Sequence, residues 1–292
     1  MIIPYLIHIL ILIGIYSILA VSLNLAIGYS GLLNLGHVAL FGIGAYTSAL
    51  LSAEGIPFII SFLMAGIVSG FFGFLLVFAT KKLKGDYYAL ASLGFAFVIY
   101  SMLLNLKEIT NGPLGIAGIL KPSFFGLVFK DNFYFLILVF IICIISVYII
   151  NKIVNSGFGK LLGAMRDNEL GLRVLGKNTA KLKYKAMFVS GFFAGLSGSL
   201  YAHYIGYIDP NTFYITELIF ILTIVIVGGI ASIKGSVIST FLIIIISESS
   251  RFLPFPSSIV GPARQIVSSV VLLLILIFKP RGLYGRIDLE WR

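Results

Sequence analysis

The sequence predicts an all-α polytopic transmembrane helix bundle of about eight to ten spans, in a single membrane domain over residues 1–292. Three observations lead there. Hydrophobic residues make up 59% of the chain and charged residues 11%, and the mean hydropathy is +1.08, far outside the soluble globular range. The apolar residues gather into nine runs long enough to cross a bilayer. The basic residues are distributed unequally among the loops between those runs.

In chain order the runs are 2–27, 35–53, 57–80, 87–106, 133–154, 186–206, 214–230, 236–253 and 262–279. No Lys or Arg precedes Lys81, so the first run lacks the positive flank of a cleavable signal and is expected to be retained. The second is rich in glycine, and a broken or re-entrant segment within 29–53 would change the number of crossings. Asp86 stands where a carboxylate can cap the fourth run. Asn111-Gly112-Pro113 and Gly115 mark the connection 107–132 as an ordered loop. Cys143, the single cysteine, lies inside the fifth run, which excludes an internal disulfide or a cysteine-based zinc site. Small residues recur at helix-packing spacing, as Ala65, Ser69 and Gly73, then Gly191, Gly195 and Ser199, then Ala194, Gly198 and Ala202. Such ladders let helix backbones approach closely in lipid.

Loop charge orients the bundle. If the basic loop 159–185 is cytoplasmic, sixteen of the 21 Lys and Arg residues share its side. Lys107, Lys121, Lys130, Arg251 and Arg264 face out, and the carboxyl terminus is cytoplasmic by the positive-inside rule. This placement directs the formal charge of +10 toward membrane lipid rather than nucleic acid.

Loop 159–185 is long for a membrane connector and carries a helix pattern of its own. Asp167 can cap a short helix with Glu169 in its first turn and Arg173 near its end, the charge order that a helix dipole favours. Gly176 stops it, and Thr179 is placed to cap the next span. Leu170, Val174 and Leu175 form an apolar stripe on a helix too short to stand alone. Either the stripe docks on another protein or on the bundle, or the segment is an ordinary connector lying at the membrane surface. Gly171, Gly176 and Lys177 fit the start of a phosphate-binding loop, but Asn178 stands where Ser or Thr should hold Mg²⁺, and no buried strand precedes. ATP binding by this chain is therefore not expected, and energy must come from elsewhere.

Polar groups inside spans are costly and become pathway candidates, here Asn24, Asn34 and His37. The structural alternative is that they pin a kinked helix, with Asn34 as N-cap of the segment beginning at Leu35. His8, His37 and His203 have no metal-ligand spacing, and no metal or cofactor is expected. Glu217 and Glu248 lie near outer span ends, and Glu248 can pair with Arg251. The absence of a convergent His, Asp and Glu set argues against an enzyme, and the absence of a filter-like motif argues against a channel. An ion-coupled secondary transporter of small polar solutes stays as the alternative, although its coupling acid would be sought at the bilayer midplane.

Several ordered stretches carry a resemblance: LNLAIGYSGLLNLGHVALFGIGAYTSALL (23–51), KGDYYALASLGFAFVIYSMLLN (84–105), TNGPLGIAGI (110–119), the segment 158–213 beginning FGKLLGAMRDNELGLRVLGKNTAKLKYK, ELIFILTIVIVGGIASIKGSV (217–237) and FKPRGLYGR (278–286). As an ordered set they resemble the LivM-type permeases of branched-chain amino acid ABC importers. The amino terminus is compact and lacks the extra leading spans of some relatives. The resemblance implies a pore half without chemistry of its own. It would work with a second related permease, two cytosolic ATP-binding cassette subunits and an extracytoplasmic solute-binding protein, importing leucine, isoleucine, valine or a related small solute. It also implies that a cytoplasmic coupling helix contacts the ATP-binding subunit. That role falls on Met165, Arg166, Asp167, Asn168, Glu169, Leu170, Arg173, Val174, Leu175, Gly176 and Lys177.

Overall fold

The computed structural model describes residues 2–124, 127–128, 131–249, 257–279 and 281–285. Each of the nine apolar runs becomes a helix. They are α1 (Ile2–Asn24), α2 (His37–Ala53), α3 (Phe58–Ala79), α4 (Asp86–Asn105), α6 (Asn132–Asn155), α9 (Thr179–Ile205), α10 (Ile215–Gly228), α11 (Ile233–Ser249) and α12 (Ser257–Phe278). Three short helices lie outside the runs: α5 (Lys107–Thr110), α7 (Gly157–Asp167) and α8 (Glu169–Val174). Among the described residues, strands are confined to two-residue pairs. β1 (Ile116–Ala117) pairs antiparallel with β4 (Tyr207–Ile208), and β2 (Ser123–Phe124) with β3 (Leu127–Val128).

By length and composition, five described segments can cross a membrane: Ile3–Tyr29, Phe58–Ala79, Asp86–Asn105, Asn132–Asn155 and Pro210–Gly228. The other apolar helices are shorter or more polar. The polar case is α9, which carries Gly, Ser, Tyr and His along its length and begins at Thr179, ahead of the apolar run. Its environment explains this. It packs against α3 and α2 in the centre of the bundle, so protein rather than hydrocarbon surrounds it.

The central packing is backbone on backbone. A methyl group on Gly44 of α2 would collide with the Gly195 backbone of α9, and one on Gly195 with the Ala65 carbonyl of α3. On Gly191 it would lie 2.8 Å from the Ser69 carbonyl oxygen, and on Gly73 2.6 Å from that of Met187. The ladder of Ala65, Ser69 and Gly73 thus meets the ladder of Gly191 and Gly195. Hydroxyls reinforce the contacts, with Ser69 Oγ donating to Leu40 O at 2.7 Å and Ser197 Oγ to Ile15 O at 2.9 Å.

The break allowed for in 29–53 is present, whereas two helix caps differ from the sequence expectation. The segment 29–53 is broken: α1 runs on into a π-helical turn, Leu25–Tyr29, and the chain is irregular from 30 until α2 starts at His37. Asn34 does not cap a helix at Leu35, because its Oδ1 accepts from Gly36 N at 3.0 Å and closes a turn instead. Gly85, with φ 52°, is the N-cap of α4, so Asp86 contributes its charge from the first turn without capping it. Arg251, the expected partner of Glu248, and Lys130 lie outside the described residues.

Replacing Gly44 with Val should lower the thermal unfolding midpoint in detergent, by the roughly 1–3 kcal/mol typical of overpacking. Gly94→Ala, at a helical glycine with open space around it, should leave the midpoint unchanged or slightly raised. Equal midpoints for the two variants would show that α2 and α9 do not depend on this approach.

Candidate functional site

The segment between α6 and α9 is built as a hanging hairpin. Ser156 caps α7, its Oγ accepting from Gly159 N at 3.4 Å. Helix α7 then buries Leu162 and Met165. The cap of α8 is Asn168, whose Oδ1 accepts from Gly171 N at 2.8 Å. Asp167, expected as the cap, is instead the last residue of α7 and pairs with Arg166 at 2.8 Å. The side chain one position later has the reach, since Asn168 sits in extended backbone where the turn between the helices is made. Likewise Asn178, not Thr179, caps α9, with Oδ1 accepting from Lys181 N at 3.0 Å. Gly176, with φ 74°, ends the hairpin as expected.

Glu169 fixes α8 to the bundle. Its carboxylate accepts from Arg173 Nη2 at 2.5 Å, Thr179 Oγ1 at 3.0 Å and Lys183 Nζ at 2.9 Å. Lys183 belongs to α9 and is 8% exposed, so the anchor reaches into the packed core. Burial works against ionisation of Glu169, but the Lys183 ammonium, the Arg173 guanidinium and the Thr179 hydroxyl outweigh it and hold the carboxyl below its ordinary value near 4.5. Leu172 turns inward at 5% exposure, whereas Leu170, Val174 and Leu175 stand at 62%, 87% and 76%. No local pattern sets Leu172 apart, because all four apolar residues fall within one and a half turns. Met165 is buried at 3%, while Asn168, Gly176 and Lys177 are exposed.

A second attachment joins the hairpin to α1. Arg166 Nη1 donates to Gly28 O at 2.7 Å, and its aliphatic stem crosses Gly31, where a methyl group would come within 2.8 Å of Cγ. The acceptor lies in the π-helical turn, where widened hydrogen bonding leaves carbonyls open to outside donors. Asn24 stands at the start of this turn. Its Nδ2 reaches Gly229 O, Ser232 O and Ser236 Oγ at 3.3, 3.1 and 2.7 Å, and its Oδ1 accepts from Ala231 N at 2.9 Å. One buried amide thus holds the elbow between α10 and α11, including Ala231 at φ 61°.

Asn34 and His37 form a separate buried group. His37 Nε2 lies 2.9 Å from Ser22 Oγ, whose proton goes to Leu19 O, so the imidazole donates from Nε2 and receives Asn34 Nδ2 at 3.4 Å on Nδ1. Asn24, Asn34 and His37 are each 0% exposed and hydrogen-bonded within the bundle. The acids lie elsewhere. Glu217 begins α10, but its Oε1 accepts from Tyr16, halfway along α1, at 2.5 Å. Glu248 accepts from Tyr5 at 3.1 Å.

Comparison with known proteins fits this arrangement. Residues 5–278 match the family described as the permease component of the branched-chain amino acid transport system. The chain belongs to that family. It is 34% identical to the high-affinity branched-chain amino acid transport permease LivM of Salmonella typhimurium, across 92% of this chain and 67% of that protein. It is 25% identical to the probable LivM of Methanocaldococcus jannaschii, covering 92% and 90% of the two chains. Among solved structures, PsaBC from Streptococcus pneumoniae in complex with Fab shares the fold, with a TM-score of 0.50 and 14% identity over 94% of this chain and 91% of that one. The permease is therefore a multi-pass membrane protein and a transport component.

Because the folded value of Glu169 is depressed, its contribution is complete above the ordinary carboxylate range and disappears as pH falls below about 4.5 toward the folded value. Amide exchange across 170–176, corrected for intrinsic rates, should accelerate over that window in the wild type. Glu169→Gln should exchange fast at both ends of it. A pH-independent wild type would remove Glu169 from the anchor.

Proposed function

We propose that the permease forms one half of the translocation pore of an ATP-driven importer. The solute is leucine, isoleucine, valine or a related small amphipathic molecule. It works with a second related permease, two cytosolic ATP-binding cassette subunits and an extracytoplasmic solute-binding protein. The supporting observation is the apolar face of α8. Leu170, Val174 and Leu175 are exposed on a helix that is clamped at Glu169 and joined to α1 through Arg166. Apolar side chains on a fixed, charged hairpin outside the spans suit a protein partner, the ATP-binding subunit.

Force applied to that face has two routes inward. One passes from Glu169 to Lys183 and along α9, and the other from Arg166 to the π-helical turn and through Asn24 to the α10–α11 elbow. Nucleotide-driven movement of the partner would in this way bias the bundle between two states. The permease itself holds no nucleotide in this reading. Gly171, where a phosphate-binding loop would offer a free amide, has its N–H engaged by Asn168 inside a helix.

The hairpin, the α10–α11 elbow and the segment after α12 share one end of the bundle. Leu283 N donates to Val227 O at 2.8 Å, Tyr284 N donates to Gly228 O at 3.1 Å, and Arg166 sits on Gly31. Together with the basic excess, this supports a cytoplasmic position for that end. In a Cys143→Ser background, Asn178→Cys should react with an impermeant maleimide only after the cytoplasmic side is opened, and Glu54→Cys should react in intact cells. Labelling of position 178 from outside would reverse the orientation.

The double variant Leu170→Asp, Val174→Asp should insert and fold normally but lose its ATP-binding subunits on purification, or keep them without ATPase stimulation by loaded binding protein. An unpaired carboxylate buried in such a contact costs about 3–5 kcal/mol, enough to dissociate it. Phe133→Asp, at the other end of the bundle, should retain both properties. Full subunit retention, stimulated ATPase and transport in the double variant would reduce α8 to a connector.

A further inference from the structure

Where α3 ends and α9 begins, exposed lysines meet exposed aromatic rings. The two helices run antiparallel, with Gly73 facing the Met187 carbonyl, Gly70 facing that of Phe188, and the Tyr184 ring 5.2 Å from Phe74 and 6.4 Å from Phe78 between centroids. Continued by one turn, this register brings Lys81 and Lys82 to the level of Lys181. The helical step turns Lys181 and Lys185 outward on α9, while Lys183 between them turns inward to Glu169. Lys81, Lys82 and Lys84 are exposed on the turn after α3, and Lys81 Nζ sits 5.2 Å above the Phe78 ring. Among the described residues, none of these five lysines has an ion-pair partner; Glu169 is clamped to Lys183 and Arg173, and Asp86 stands exposed in the first turn of α4. Gathering like charges without a counter-charge gains the fold nothing, so the row points to an anion from outside. Below it an aromatic band runs into the span. Phe78, Phe74 and Phe71 stack along α3 at 6.1 and 6.4 Å, and Tyr184 and Phe188 lie beside them on α9.

We propose that this face of α3 and α9 is a binding site for an anionic glycerophospholipid, with its phosphate among Lys81, Lys82, Lys181 and Lys185 and its acyl chains over Phe78, Phe74 and Phe188. The lysines require an anion. The aromatic band selects a lipid among anions, because it follows the Phe58–Ala79 span, where hydrocarbon rather than a soluble partner is the neighbour. A choline headgroup cancels the phosphate charge with its own ammonium, so the site favours lipids whose phosphate is uncompensated, such as phosphatidylglycerol. The apolar face of α8 is made of other residues, Leu170, Val174 and Leu175, and is not needed for this contact. Lipid bound here braces the first turns of α9 from outside at Lys181 and Lys185, while Glu169 holds them from inside at Lys183.

The test is native mass spectrometry of the full chain in detergent, titrated with dioleoyl phosphatidylglycerol or dioleoyl phosphatidylcholine. The wild type should hold one phosphatidylglycerol at a concentration roughly 10- to 100-fold below that needed for phosphatidylcholine, the range for several lysines acting on one headgroup. The triple variant Lys81→Gln, Lys181→Gln, Lys185→Gln should bring the two lipids level. A control triple, Lys107→Gln, Lys152→Gln, Lys160→Gln, removes the same charge from other exposed lysines and should keep the preference. Phe188→Ala should weaken both lipids by a similar factor, since it removes an acyl contact and no charge. Equal retention of the two lipids by the wild type overturns the proposal, and this comparison stands even if a variant fails to fold. Equal loss of preference in both triples also overturns it, by showing an effect of overall charge. A wild type without preference, together with a first triple that loses its ATP-binding subunits on purification, assigns the lysines to a subunit contact instead.

Discussion

Hydrocarbon gives two apolar helices no reason to prefer each other over lipid, so this bundle depends on close backbone approach at its centre. Gly44, Gly191 and Gly195 remove the side chains that would keep α2, α3 and α9 apart. Dispersion contacts and hydroxyl–carbonyl hydrogen bonds then operate at short range over long helices. Helix α9 can be polar by membrane standards because its neighbours shield it from lipid. The other face of α3 and the outer helices α4 and α6 carry the hydrophobic surface instead, and their exposed Ile, Leu and Phe side chains face outward.

Around this centre, a few polar side chains determine how the peripheral parts attach. His203 links α9 and α2 to the loop after α5, with Nδ1 donating to Leu120 O at 2.6 Å and Nε2 facing Ser48 Oγ at 2.9 Å. Asn24 does the same at the other end for the α10–α11 elbow, and Glu169 and Arg166 do so for the α7–α8 hairpin. Loss of such a buried partner strands donors and acceptors that water cannot reach, about 1–3 kcal/mol for each group. The rigid centre and the pinned periphery are thus held by different forces.

Much of this was legible in the sequence. Apolar run length located all nine long helices, small-residue spacing marked close helix packing without saying which ladders meet, and the charge order of residues 167–177 marked a short helix outside the spans. The two misplaced caps of the hairpin share a cause. Asp167 and Asn168 are adjacent capping types, as are Asn178 and Thr179, and only the backbone angle at each position decides which side chain reaches the helix amides. The depth of Glu217 was hidden as well. It begins a helix and so reads as a span end, yet α10 has only 14 residues and its first turn meets the middle of α1. The contacts of Asn24 with residues 229–236 join positions more than 200 apart in sequence, beyond any local pattern.

The π-helical turn at Leu25–Tyr29 has a consequence for how this chain can vary in length. Such a turn is an α-helix carrying one surplus residue, and that residue shifts the angular phase of everything after it by about 100°. Upstream, α1 shows Tyr16 to Glu217. Within the turn, Gly28 lies against Ala231 of the elbow while its carbonyl accepts from Arg166. A one-residue insertion elsewhere in α1 would rotate Tyr16 against these contacts, whereas at this turn the helix already stores such an insertion as a phase correction. The turn therefore sets the rotational clock between α1 and the two attachments at its end.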